Sequence, residues 1–179
     1  MSGFTLKHGL LLVPMAYSST VFAVEYLDDS QAQKILLPDA DEFIKKTITL
    51  TDDQLEKIKN LSGKTQRNSK PNVWEVKKKG KGIGFFFKDE VVGKHEYITY
   101  AVATKTDGSV VGMEIMSYRE THGGEVRQEK WRQNFKGKML SDPFKLDVDV
   151  PNITGATLSC RNVLDGVKRL LALQTIVQQ

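Results

Sequence analysis

The sequence predicts an α+β domain: an antiparallel sheet packed with helices, closed by a terminal helix that follows a Thr-Gly-Ala-Thr turn. Two observations carry this. Between Val73 and Tyr118 apolar and polar side chains alternate with the two-residue period of strands, and on either side of that stretch apolar residues recur at helical spacing. A chain of 179 residues suits a single domain able to bury a core of its own.

The helices come first. Ser30 is positioned to cap a short amphipathic turn through Ala32, Ile35 and Leu36, which Pro38 ends. Thr51 caps a second helix. Asp52 and Asp53 lie in its first turn, where the helix dipole favours anions, Leu55, Ile58 and Leu61 recur along it, and Gly63 stops it. Strands follow at Val73–Val76, Gly82–Val92 and Tyr97–Thr104; Asp107-Gly108 makes a hairpin turn, and Val110–Tyr118 returns. A glycine-rich loop, Arg119 to Arg127, leads to a helical piece with Trp131 and Phe135 on one face and a stop at Gly137. In the terminal helix Val163, Leu164, Val167, Leu170 and Leu171 form one apolar stripe, interrupted by Gly166. The chain divides into residues 1–23, an N-terminal helical segment at 24–72, and the main domain at 73–179.

Composition narrows the functions. The formal net charge of +4 is mild, and the basic residues are scattered apart from Lys77, Lys78, Lys79 and Lys81. Without a basic stripe interleaved with aromatics, nucleic acid is not an expected partner. Residues 1–23 read as a cleaved export signal: Lys7 and His8, an apolar run from Gly9 to Tyr17, then small residues up to Ala23. That run is shorter than the ~20 residues a membrane-spanning helix needs. Export places the mature chain in the periplasm or an equivalent extracytoplasmic space, where a partner can bring it to a membrane. Cys160 is the sole cysteine, so neither an internal disulfide nor a thiolate metal cage can form.

The chemistry concentrates in Thr154, Gly155, Ala156, Thr157, Leu158 and Ser159. A helix starting there points free N–H groups and the positive end of its dipole at the turn, an arrangement suited to a phosphate. Gly155 and Ala156 keep the envelope small for a ligand, and the Thr157 hydroxyl can hydrogen-bond a phosphate or be esterified by it. The alternative is structural: Thr154, Thr157 or Ser159 caps the helix and nothing more.

The TGATLS stretch, with RETHGGEVRQEKWRQNFKGK upstream and the strand ending in GMEIMSY, resembles the FMN-binding domain of the covalently flavinylated subunits of sodium-translocating quinone reductase and Rnf complexes. It is similar also to small exported FMN-binding proteins. The resemblance covers roughly Trp74 to Leu173, and makes residues 73–179 an FMN-binding domain. It implies a phosphoester between FMN and Thr157, made by a flavin transferase, with Thr154, Gly155 and Ala156 completing the motif. A loop that packs on the flavin in the family falls on Glu120, Thr121, His122 and Gly123, with Gly124 following. His122 stands where the family has proline and brings an imidazole into that loop. Pro151 stands where the transferase's recognition pattern has an acidic residue; Asp149 is the nearest carboxylate.

Several neighbours carry two readings each. Lys138 is a candidate phosphate contact. Arg119 and Arg127 can neutralise a phosphate or pair with Glu120 or Glu125. His95 reads as an exposed turn residue, Trp131, Phe135 and Tyr118 as core, and Cys160 as a small buried apolar residue. Covalent attachment suits an exported protein, because a reversible site facing very dilute FMN drains by mass action. The implied function is an electron relay with membrane or periplasmic redox proteins as partners. A flavin-dependent reductase acting on a small substrate and a flavin-free adaptor are the alternatives. No catalytic triad, histidine metal pair or haem-attachment motif is present.

Overall fold

The computed structural model describes residues 26–179; the expected signal segment 1–23 lies outside them. Five antiparallel strands run in sequence order as a meander: β1 (Glu42–Lys46), β2 (Asn72–Lys78), β3 (Lys81–Val92), β4 (Tyr97–Lys105) and β5 (Val110–Tyr118). Helix α1 (Asp29–Leu36) precedes β1, α2 (Asp52–Ser62) joins β1 to β2, and a single turn, α3 (Glu129–Arg132), follows β5. The terminal helix, α4 (Thr157–Val177), is 21 residues long. The α+β class with a closing helix is thus the observed one.

Both faces of the sheet are covered. On one, Phe85, Phe87, Val91, Ile98, Tyr100 and Val102 meet the apolar stripe of α4 and Ile58 of α2, and Trp131 and Phe135 belong to the same core. On the other, Trp74, Val76, Phe86, Ala101, Ala103 and Met116 pack with Ala32 and Leu36 of α1. The cross-strand register keeps these sets apart: Val73 lies opposite Phe87 and Phe87 opposite Val102, while Trp74 pairs with Phe86 and Phe86 with Ala103. Three register shifts interrupt the pairing, at Val76/Lys77, Thr99/Tyr100 and Ala103/Thr104, and the second moves a core residue to the other face. Thr99 pairs with Ser117 and Tyr100 with Ile115, so Met116 is the extra residue and turns to the α1 face.

Three local expectations are corrected. Asp28, not Ser30, caps α1: its carboxylate accepts the Gln31 N–H at 2.8 Å while the Gln31 side chain accepts the Asp28 N–H at 2.9 Å. The 24–72 segment is not wholly helical, because β1 lies within it and adds a fifth strand beside β2. Gly166 does not disturb α4, which is continuous across it. A side chain there has no room, since a Cβ would stand 2.2 Å from the Tyr100 hydroxyl. That hydroxyl is fully buried and donates to Asp89 at 2.7 Å, and Asp89 also takes the Arg169 guanidinium. Burial, then the Asp89 charge, pushes the Tyr100 phenol well above its ordinary value. Thr51 caps α2 and Gly63 ends it in a left-handed conformation, as the sequence indicates.

Candidate functional site

Helix α4 begins without a side-chain cap. Its N-cap is Ala156, and neither Thr154, Thr157 nor Ser159 supplies the missing acceptor, so the purely structural reading of these hydroxyls fails. The first backbone bond of the helix runs from the Cys160 N–H to the Ala156 carbonyl, 2.9 Å. The N–H groups of Thr157, Leu158 and Ser159 find no acceptor among the described residues. Three free donors at the positive end of a 21-residue helix make the anion-receptive mouth that the sequence implies.

The turn before the helix is shaped by two loops meeting. Gly155 sits at φ +82, a left-handed turn that favours glycine, with open space where a Cβ would be. Ala156 is buried, and its small side chain makes room for Gly123. A Cβ on Gly123 would stand 2.1 Å from that of Ala156, and Gly123 itself adopts φ +83. The glycine loop and the Thr-Gly-Ala-Thr turn are therefore in contact, although more than thirty residues separate them in the chain.

Around this contact the other expected site residues take distinct places. Thr157 is partly exposed, and its hydroxyl accepts a hydrogen bond from the Asn152 side-chain amide at 3.2 Å. Thr154 and Leu158 are exposed. The Ser159 side chain is buried, close to Gly93 and to the Tyr118 phenol, leaving its backbone N–H as its means of meeting an anion. Tyr118 donates to the His122 carbonyl and so closes the glycine loop. Burial pushes its phenol up, its contact with Ser159 opposes that, and the Glu120 charge adds to it. Thr121 and His122 are exposed and, with Gly123, Gly124, Glu125 and Arg127, line a solvent-open depression of 670 Å³.

Glu120 faces the β3–β4 turn. Its carboxylate accepts the N–H groups of His95 at 2.6 Å and Glu96 at 3.0 Å. Burial alone would raise this group, but the N–H groups of Glu96, His95 and Lys94 outweigh it and hold the carboxyl below its usual range. Glu120 thus fastens the glycine loop to the β3–β4 turn, where the buried Gly93 leaves space for both Glu120 and Ser159. His95 is an exposed turn residue.

Lys138 is not a free cation. Its ammonium pairs with Asp149 at 2.9 Å, both side chains being largely buried, and that bond, followed by the Lys145 N–H, holds the Asp149 carboxyl below its usual range. Arg127 lies over the Tyr26 ring at 4.4 Å and donates to the Gly124 carbonyl at 3.3 Å. Neither Arg119 nor Arg127 forms an ion pair among the described residues. Trp131, Phe135, Tyr118 and Cys160 are buried, and burial raises the Cys160 thiol above its ordinary value. Among the described residues no cluster of three or more metal-ligating side chains occurs, and no helix is long and apolar enough to cross a membrane.

Residues 93–172, which hold all the expected site residues, match the family model described as FMN-binding domain. That stretch is similar to an FMN-binding domain. The matched stretch starts at the β3–β4 turn, so β1 to β3 lie outside it. A relative in Clostridium ljungdahlii, one of the subunits of the proton-translocating ferredoxin:NAD(+) oxidoreductase complex, is 28% identical over 133 residues, 69% of this chain and 71% of that protein. The crystal structure of Shewanella oneidensis NqrC shares the fold, with a TM-score of 0.52 and 20% identity over 83% of this chain and 73% of that one.

The residues present fit FMN. A phosphate finds three N–H groups that have no acceptor among the described residues and the Thr157 hydroxyl at one helix mouth, and the open depression beside Thr121 and His122 gives room for the rest of a nucleotide. Sequence reasoning missed Asn152 and Gly93. Asn152 is an ordinary loop residue in the sequence, and only its hydrogen bond to Thr157 marks it.

Proposed function

We propose that this protein is an electron-transfer flavoprotein of the extracytoplasmic space that holds FMN by a phosphoester on Thr157. The observation that carries the reading is the uncapped mouth of α4: a threonine hydroxyl beside three unpaired N–H groups, in an FMN-binding domain. When bound, the isoalloxazine exchanges one or two electrons, and the protein supplies binding, orientation and local charge. Thr157, Thr154 and the backbone of Leu158 and Ser159 hold the phosphate. The glycine loop, Thr121 to Gly124, borders the remainder, fixed by Glu120 and Tyr118 from either end.

Several findings support a relay over a reductase. A reductase needs an enclosed site with convergent polar groups beside the flavin, whereas the depression at the glycine loop is open to solvent. The relative in Clostridium ljungdahlii belongs to a ferredoxin:NAD(+) oxidoreductase complex, and by analogy the partners here are membrane or periplasmic redox proteins. Maturation uses a flavin transferase, after residues 1–23 are removed on export.

The test is the mass of the mature protein from its own host, together with ultraviolet fluorescence after denaturing electrophoresis. The expected protein lacks residues 1–23, carries one FMN on the peptide containing Thr157, and fluoresces. Thr157→Ala is expected to run dark while melting within a few degrees of wild type, because the position makes no helix cap to lose. An unmodified Thr157 peptide in wild-type protein refutes the covalent reading.

A further inference from the structure

We propose that Asn152 is the positioning residue for flavin attachment: its side-chain amide holds the Thr157 hydroxyl in the orientation from which it attacks phosphorus. This rests on the reading of Thr157 as the attachment site. The Asn152 Nδ2 donates to Thr157 Oγ1 at 3.2 Å. Threonine is β-branched, with few χ1 wells, and one hydrogen bond to its oxygen selects among them.

Asn152 is itself held in place by the bonds on either side of its peptide. Its backbone N–H donates to Asp147 Oδ1 at 3.1 Å, and the carbonyl of the preceding Pro151 accepts the indole N–H of the buried Trp131 at 2.8 Å. Pro151 fixes its own φ and so stiffens the approach to Asn152. Two residues earlier, Asp149 is fastened by Lys138 and by the Lys145 N–H at 2.8 Å. A loop tied at Asp147, Asp149 and Pro151 presents the amide at a fixed place.

The second observation is an unmet need. Asn152 Oδ1 is buried with no partner among the described residues, although buried acceptors are almost always paired. A flavin nucleotide tethered at Thr157 brings ribityl hydroxyls next to its phosphate, which are donors of the kind this oxygen lacks. The amide therefore serves both sides of the bond: its NH2 faces the nucleophile and its oxygen awaits the ligand.

The step balances with a flavin dinucleotide as donor, since a phosphate must arrive activated as an anhydride. The Thr157 Oγ–P bond forms, the P–O bond of the pyrophosphate breaks, the hydroxyl proton passes to solvent or transferase, and a nucleoside monophosphate leaves. No electrons change hands. Asn152 neither takes the proton nor touches the leaving group; it sets the direction of Oγ and afterwards donates to the ester, whose phosphate is charged.

The experiment uses the full apo chain, a flavin transferase and a flavin dinucleotide, and follows in-gel flavin fluorescence with time. Asn152→Ala and Asn152→Asp are expected to take up flavin about ten- to a hundredfold more slowly. The loss should fall on kcat, with the KM of the transferase for the chain little changed. Asn152→Asp keeps the shape of the side chain and removes the donor, so it carries the test should Asn152→Ala melt early. Wild-type kcat in both variants, with Thr157→Ala dark, overturns the inference alone. Wild-type labelling of Thr157→Ala removes the attachment site and this inference with it. A rise in KM with unchanged kcat would make Asn152 a recognition or folding residue and also overturns the proposal.

Discussion

A carboxylate beside a glycine loop usually says little, yet Glu120 decides where that loop goes. Its two short bonds to the N–H groups of His95 and Glu96 tie the loop to the β3–β4 turn. The folded carboxyl titrates below its ordinary value of 4.5. Its stabilising effect is therefore fully present above about pH 4.5 and is lost as pH falls through the lower folded value. Glu120→Gln mimics the protonated form at every pH. Wild type is expected to melt above Glu120→Gln near neutrality, and the gap should close on acidification below pH 4.5; a gap independent of pH would show that the charge is irrelevant. At this scale the sequence revealed the residue types but not their partners. Thr154 to Thr157 stand out by type and spacing, whereas the Glu120 bonds span 24 and 25 residues and the Asn152 contact follows no periodic pattern.

Elements read better where their period is strong. Strands β2 to β5, α2 and α4 fall close to where alternation and helical spacing put them, because their apolar faces are long and their ends carry Thr51, Gly63 and Asp107-Gly108. Strand β1, Glu-Phe-Ile-Lys-Lys, escaped notice because it is a five-residue edge strand with mostly solvated side chains, the composition that keeps a sheet edge from pairing with other chains. Gly166 is the converse case, a residue that local propensity disfavours and tertiary packing requires. Gly166→Ala should gain about 1 kcal/mol of helix propensity. It also pushes a methyl to within 2.2 Å of the Tyr100 hydroxyl and 3.0 Å of Val91. Tyr100 is fully buried and bonded to Asp89, so it cannot swing away. Overpacking of this kind costs about 1–3 kcal/mol, and the variant is expected to be destabilised in urea unfolding. In a Tyr100→Phe background the same change should cost less, since the clashing oxygen is gone. Equal costs in both backgrounds would place the strain elsewhere.

At the scale of the molecule, the α+β class was legible and the second core was not. A meander with one helix-covered face accounts for the pattern of β3 and β4 only in part, since Ala101 and Ala103 are as buried as Val102. Helix α1 covers that second face. This has a consequence for the segment that matches the family, residues 93–172. Removing β3 leaves β4 as an exposed edge along its whole length, and takes Phe85, Phe87 and Val91 away from the stripe of α4. It also deletes Asp89 and strands the largely buried Arg169 without its counter-charge, a change that costs several kcal/mol in comparable buried pairs. Domains are stable by only about 5–15 kcal/mol, so these losses exceed what the fragment can carry. A chain of residues 26–179 is expected to unfold in one cooperative thermal transition. The 93–172 fragment is expected to show none, with increased binding of a dye that reports exposed apolar surface. A cooperative transition in the fragment would mean that the segment matching the family folds alone and that β1 to β3 are an accessory layer.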